Sequence, residues 1–141
     1  MSAADSFLDT NVLVYAFTGA TPEMPKRRRA LEIMEEGKFG LSAQVLQEFY
    51  VTVTRKAKQI VAPRVALSWI EALAPVPCIA VDAALVKLGI DVALRYRISY
   101  WDGAVVAAAQ EAGAATLYSE DLSDGQVYGS VRVVNPFAGL R

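Results

Sequence analysis

Apolar positions fall along this chain in two kinds of run, and the two kinds separate strands from helices. Short apolar bursts between turn-forming or charged residues read as buried strands at 6–8, 39–41, 78–81, 116–118 and 131–134. Longer stretches repeat at helical spacing. The first of these is 11–17, followed by a Gly19-Ala20-Thr21-Pro22 loop. A charged segment over 23–36, stopped by Gly37, turns Met24, Ala30, Leu31 and Met34 inward. Ser42 is placed to cap a helix running to about residue 59, with Val45, Leu46, Phe49, Tyr50 and Val53 at i, i+3, i+4 spacing. Pro63 opens a helix to about residue 73, which Pro75 and Pro77 end. Asp82 caps one reaching about Arg97, and Ser99 caps another over 100–112, closed by Gly113. Asp124-Gly125 marks a turn before the last strand.

Short strands alternating with helices predict an α/β fold. The expected form is a three-layer α/β/α sandwich around a mainly parallel, roughly five-stranded sheet. No repeat, low-complexity tract or linker interrupts the 141 residues, so one domain spanning 1–141 is expected. Sheets of this kind bind ligands beyond the carboxyl ends of their strands. Asp9 and Asp121 lie just past two such ends, at Leu8 and Tyr118.

Composition narrows the chemistry. The chain has no histidine, which excludes Ser-His-Asp and Cys-His catalysis and histidine-ligated metals. Its one cysteine, Cys78, excludes an internal disulfide and a cysteine metal cage. Oxygen ligands remain, and these suit Mg²⁺ or Mn²⁺. A net charge of −1 means that any grip on nucleic acid must be local or supplied by metal ions. Asp5 and Asp9 stand where a secretory signal needs basic and then apolar residues, and the uncharged run 10–22 is too short to cross a bilayer. A cytoplasmic protein without membrane contact is expected.

Four acids are candidates for one site, and each has a competing structural use. Asp9 leaves an apolar strand, which is costly without a partner or a metal, yet Asp also caps helices well. Glu48 lies about 60° from Val45 and about 100° from the mean direction of Val45, Phe49 and Val53, so it points partly inward or sits at the boundary with water. Ser99-x-x-Asp102 is a capping-box spacing, but small residues after Asp102 let this helix approach the sheet closely. Asp121 belongs to a loop with Glu120 and Asp124; it is the first choice for the site, Asp124 the second, and Glu120 is read as solvated. Carboxylates gathered in one place repel, and a divalent cation relieves that repulsion.

Four stretches carry a resemblance: Phe-Leu-Asp-Thr-Asn-Val-Leu at 7–13, Ser-Ala-Gln-Val-Leu-Gln-Glu-Phe at 42–49, Tyr-Trp-Asp-Gly-Ala-Val-Val-Ala-Ala-Ala at 100–109 and Leu-Tyr-Ser-Glu-Asp-Leu-Ser-Asp-Gly-Gln at 117–126. In this order and spacing the chain resembles the PIN domain ribonucleases, in particular VapC-type toxins of toxin–antitoxin pairs. The closing Arg-Val-Val-Asn-Pro-Phe at 132–137 is also similar to that family's last strand. The resemblance implies that Asp9, Glu48, Asp102 and Asp121 are catalytic and hold Mg²⁺ or Mn²⁺, with Asp124 as the competing ligand. It implies that Asn11 and Ser119 support them. It further implies hydrolysis of single-stranded or looped RNA by metal-activated water, a homodimer, and a VapB-like antitoxin partner.

Lys26, Arg27, Arg28 and Arg29 form the densest basic run, and Arg55, Lys56 and Lys58 a second; either could contact phosphates or simply be solvated. Tyr15, Tyr50, Tyr100 and Trp101 could stack on bases, with core packing expected for most. Trp69 is a candidate for a dimer or antitoxin surface. Two rivals remain. Asp9-Thr10-Asn11-Val12 resembles the opening motif of haloacid-dehalogenase-like phosphatases, although Asn11 replaces the second Asp that chemistry needs. A catalytically silent PIN-like module that binds RNA or protein is the other.

Overall fold

A computed structural model describes residues 4–18 and 24–140. The loop expected at 19–22 and the helix start expected at Glu23 lie outside these residues. The elements alternate as β1 (Ser6–Leu8), α1 (Thr10–Thr18), α2 (Met24–Glu36), β2 (Phe39–Ser42), α3 (Ala43–Val51), α4 (Pro63–Ala72), β3 (Cys78–Ile79), α5 (Ala83–Tyr96), α6 (Tyr100–Glu111), β4 (Thr116–Tyr118), β5 (Val127–Tyr128) and β6 (Val131–Val134). The strands form one sheet in the order β3-β2-β1-β4-β6-β5. All neighbours are parallel except β5, which runs antiparallel to β6. The α/β architecture with a mainly parallel sheet is as expected. The sixth strand was not, because two residues are too few to show an alternation.

Helices α1 to α4 pack against one another, and α5 packs against α6, which also lies on β2, β4 and β6. Phe7, Leu8, Leu41, Leu117, Val131 and Val133 from the sheet are buried, with Val12, Leu13, Val45, Phe49 and Val106 from the helices. On α2 the buried residues are Ala30 and Ile33; Met24 and Leu31, expected inside, are exposed. Trp69, considered for an interface, instead meets the Phe17 and Phe49 rings at centroid distances of 5.3 and 6.2 Å.

The helix expected from Ser42 to about residue 59 is shorter. Ser42 caps it as anticipated, accepting from the Val45 N–H. After Val51 the chain widens into a π-helical turn over Thr52–Lys56, closed by the Ala57 N–H on the Thr52 carbonyl. Val51-Thr52-Val53-Thr54 is a β-branched run, which disfavours α-helix. The Thr54 hydroxyl also donates to the Tyr50 carbonyl, a bond that bends helices. Ala57 then leaves in extended conformation.

Every residue of α6 from Gly103 to Ala109 is buried. A Cβ on Gly103 would lie 2.6 Å from the Gly89 carbonyl oxygen and 3.0 Å from the Ala93 nitrogen. Backbone atoms of α5 cannot move aside as a flexible side chain would. Gly103→Ala is therefore expected to destabilise the protein by about 2 kcal/mol despite alanine's better helix propensity. Urea denaturation measures this; an unchanged or raised midpoint would show that the two helices are not in such close contact.

Candidate functional site

The parallel pairing of β1 with β4 sets Leu8 opposite Tyr118, so the next residues, Asp9 and Ser119, emerge side by side at the carboxyl edge. The Asp9 N–H donates to the Tyr118 carbonyl (3.0 Å), and the Ser119 hydroxyl donates to Asp9 Oδ2 (2.7 Å). Asp9 Oδ1 accepts from the Thr10 N–H (2.8 Å). Ser119, fully buried, also accepts from the N–H groups of Asp121 and Leu122, and so folds the loop that presents Asp121.

Helix α1 starts immediately after Asp9, and its first two residues reach two more acids. The Thr10 hydroxyl donates to Glu48 Oε1 on α3 (2.9 Å). The Asn11 amide donates to Asp121 Oδ2 (3.1 Å), while its Oδ1 accepts from the Glu120 N–H (3.3 Å). Asp102 lies in the first turn of α6, with its N–H on the Ser99 hydroxyl. The capping bond therefore exists, and it leaves the Asp102 carboxylate on the wall of the cleft. All four acids, with Asn11, line one cavity of ≈690 Å³.

The cost of this gathering falls on Asp9. Burial pushes its carboxyl up to about 6, and the charges of Asp121 and Glu48 add to the rise. The bonds from Ser119 and Thr10 oppose it. A buried anion near two others is a place where a hard divalent cation would be stabilising. Among the described residues no three acidic or thiol side chains are already drawn close enough to hold an ion. The donor set still fits Mg²⁺ or Mn²⁺, because Mg²⁺ is usually bound through one or two carboxylates and keeps several waters.

Other residues fall elsewhere. Asp124 does not line the cleft; its Oδ1 accepts from the Asn135 N–H (2.8 Å) and ties the turn to the end of β6. The buried Leu122 has already carried the chain away from the cavity. Glu120, read as solvated, accepts from the Tyr15 hydroxyl (2.8 Å) and from Lys26 (2.6 Å). Lys26 also lies 4.8 Å from the Tyr15 ring centroid. It is thus engaged in holding the Asp121 loop to α2, and its bond to Glu120 keeps its ammonium well above the ordinary lysine range. Arg29 bonds Glu32 and Glu36. None of Lys26, Arg27, Arg28, Arg29 and Arg55 lines the cleft, whereas Lys56 and Lys58 do. Thr10, Gln44 and Trp101 are cleft residues to which the sequence reading gave no firm place. The position of Thr10 between Asp9 and Asn11 was the available signal.

Lys26→Met is expected to cost about 1–2 kcal/mol at neutral pH, because it leaves the half-buried Glu120 carboxylate without its cation. Glu120→Gln should cost a similar amount and the double variant less than the sum. Chemical denaturation of the four proteins tests this; strict additivity would mean that the pair is not coupled.

With the site described, its relatives can be placed. Residues 6–123 match the PIN domain model, and the chain belongs to the PIN domain family, a family of hydrolytic nucleases. That assignment leaves the phosphatase reading without support. The fold is shared with a toxin–antitoxin complex from Klebsiella pneumoniae (TM-score 0.69, 19% identity, covering 93% of this chain and 97% of that one). It is shared with VapC20 of Mycobacterium tuberculosis, described as a sarcin-ricin loop cleaving toxin (0.63, 20%, 82% and 89%). It is shared also with VapBC2 of Rickettsia felis bound to a promoter DNA fragment (0.62, 16%, 91% and 96%). No curated protein sequence matches significantly. Among the described residues no helix is long and apolar enough to cross a membrane.

Proposed function

We propose that this protein is a Mg²⁺- or Mn²⁺-dependent endoribonuclease and the toxin of a toxin–antitoxin pair. The observation that carries the reading is the convergence of Asp9, Glu48, Asp102 and Asp121, from four separate segments, on one cleft at the carboxyl edge of a PIN-fold sheet. Two of the structural neighbours support the toxin reading, one being named as a toxin–antitoxin complex and the other as an RNA-loop-cleaving toxin. A small antitoxin of the VapB kind and a homodimer follow from the same likeness.

Asp9 and one or more of Glu48, Asp102 and Asp121 would hold the cation, directly or through its waters. When bound, a divalent ion supplies a Lewis acid that makes water a better nucleophile and offsets charge on the phosphoryl oxygens. Ser119 and the Thr10 N–H fix both Asp9 oxygens by one lone pair each and leave others for a ligand. Thr10 engages one oxygen of Glu48 and Asn11 one oxygen of Asp121, so the second oxygen of each remains available. Asp102 projects from the first turn of α6, whose N-terminal dipole favours a phosphate brought to the cleft. In this reading water, not the ribose 2′-hydroxyl, is the nucleophile, and the products would carry 5′-phosphate and 3′-hydroxyl ends; the route needs no histidine, in keeping with a chain that has none.

The test is incubation of the purified protein with single-stranded RNA. Cleavage is expected with Mg²⁺ or Mn²⁺, with 5′-phosphate ends, falling to background with EDTA and returning on re-addition of the ion. Cleavage that survives EDTA, or that leaves 2′,3′-cyclic phosphates, would overturn the metal-dependent reading. No cleavage of any RNA under any ion would favour the silent module.

A further inference from the structure

Trp101 is 64% exposed, although tryptophan is highly buried on average. It lies on the cleft wall next to Asp102, with the Tyr100 ring edge-on at 5.0 Å. Lys56 and Lys58 line the same cleft. The π-helical turn ends at Lys56, Ala57 leaves it in extended conformation (φ −68°, ψ 156°), and residues 56–59 run along the cleft. Gln44, buried in the cleft wall, has a side-chain nitrogen without any hydrogen-bond partner.

We propose that this cleft holds an unpaired nucleotide beside the carboxylates, its base stacked on Trp101 and its phosphates against Lys56 and Lys58. The inference rests on the nuclease reading above and names how that site takes its substrate. An aromatic platform beside a cationic track is the pattern of single-strand binding, in which stacking favours any base because every base has a π-face. A base inside a duplex has both faces covered by its neighbours, so this platform selects loops and single strands. A cavity of ≈690 Å³ is of small-ligand size. The overall charge of −1 leaves such local cations to supply the attraction.

The two tryptophans make the test specific. Trp69 is packed against Phe17 and Phe49, so Trp69→Phe leaves Trp101 as the only indole. In that background, with Asp9→Asn to prevent cleavage, Trp101 fluorescence is titrated with hexa-adenylate RNA and with an abasic ribose-phosphate oligomer of equal length. The RNA is expected to quench emission by half or more and the abasic chain to leave it unchanged. Replacing Lys56 and Lys58 together by Ala should weaken binding about tenfold and reduce the salt slope by roughly one to two. In otherwise wild-type protein, Trp101→Ala should raise KM more than it lowers kcat, and Trp101→Phe should restore most of the loss. Quenching by the abasic chain, or none by either, would overturn the stacking site. Free protein whose Trp101 emission is blue-shifted and shielded from iodide would also overturn it, since a second copy or another protein surface would then cover the ring. Metal-dependent cleavage unaffected by these variants would refute this inference alone, whereas wild-type protein without cleavage would refute the nuclease reading.

Discussion

Asp9→Asn is expected to lower RNA cleavage by about 10³-fold while making the metal-free protein more stable at pH 8. The two effects have one cause. Asp9 is the most buried of the four acids, and burial, then the charges of Asp121 and Glu48, make its ionised form unfavourable. Asparagine removes that charge without changing the side-chain shape. One of its two positions must now present an NH₂ group where a carboxylate oxygen accepted from Thr10 or Ser119, so part of the gain is offset. A net stabilisation of about 1 kcal/mol remains. The charge that is costly without a counter-ion is the one a cation would require, and its loss accounts for the fall in rate. Mg²⁺ should raise the wild-type melting temperature and leave that of Asp9→Asn nearly unchanged. A variant that is both less stable and still active would show that Asp9 is a structural cap and not part of a metal site.

This coupling of function to strain also explains which parts of the molecule were legible in its sequence. Strands β1, β4 and β6 and the caps Ser42, Asp82 and Ser99 were readable because local chemistry decides them: short apolar runs, and side-chain oxygens one turn ahead of orphan N–H groups. The convergence of Asp9 with Asp121 was readable from strand ends in a parallel sheet. The partner of each acid was not. That Thr10 would reach Glu48 and Asn11 would reach Asp121 depends on how α1 docks on α3 and on the 119–124 loop, which no local pattern encodes. Lys26 shows the same limit. Within a run of four basic residues it looked like its neighbours, and only tertiary packing pairs it with Glu120. Asp124 stands outside the cleft for a tertiary reason as well: its Oδ1 accepts from the Asn135 N–H at the end of β6, eleven residues along the chain. The end of α3 was misread because its apolar spacing persists through Val53 while four consecutive β-branched residues weaken the α-helix at that point.

The contribution of Asp9 to the stability of the metal-free protein should fall as pH rises from about 4 to about 6, opposite in sign to that of a salt-bridged carboxylate. The Asp9 carboxyl is raised from 3.8 to about 6 in the folded state. Between these values the folded chain binds a proton that the unfolded chain has released, so raising the pH favours unfolding. The contribution is fully present below about pH 4 and lost as pH passes through about 6, and it amounts to roughly 3 kcal/mol at about 1.4 kcal/mol per unit. Other carboxylates titrate in the same range, so the quantity to follow is the difference between wild type and Asp9→Asn in urea denaturation at each pH with EDTA present. That difference should favour the wild type at pH 4 and shift by roughly 2–3 kcal/mol toward the variant by pH 7. Millimolar Mn²⁺ should then stabilise the wild type at pH 7.5 and do little at pH 4, where the proton occupies the oxygen the cation needs. A difference curve that is flat across this window would mean that Asp9 is well solvated, and the anionic cleft would lose the feature that makes a divalent ion necessary.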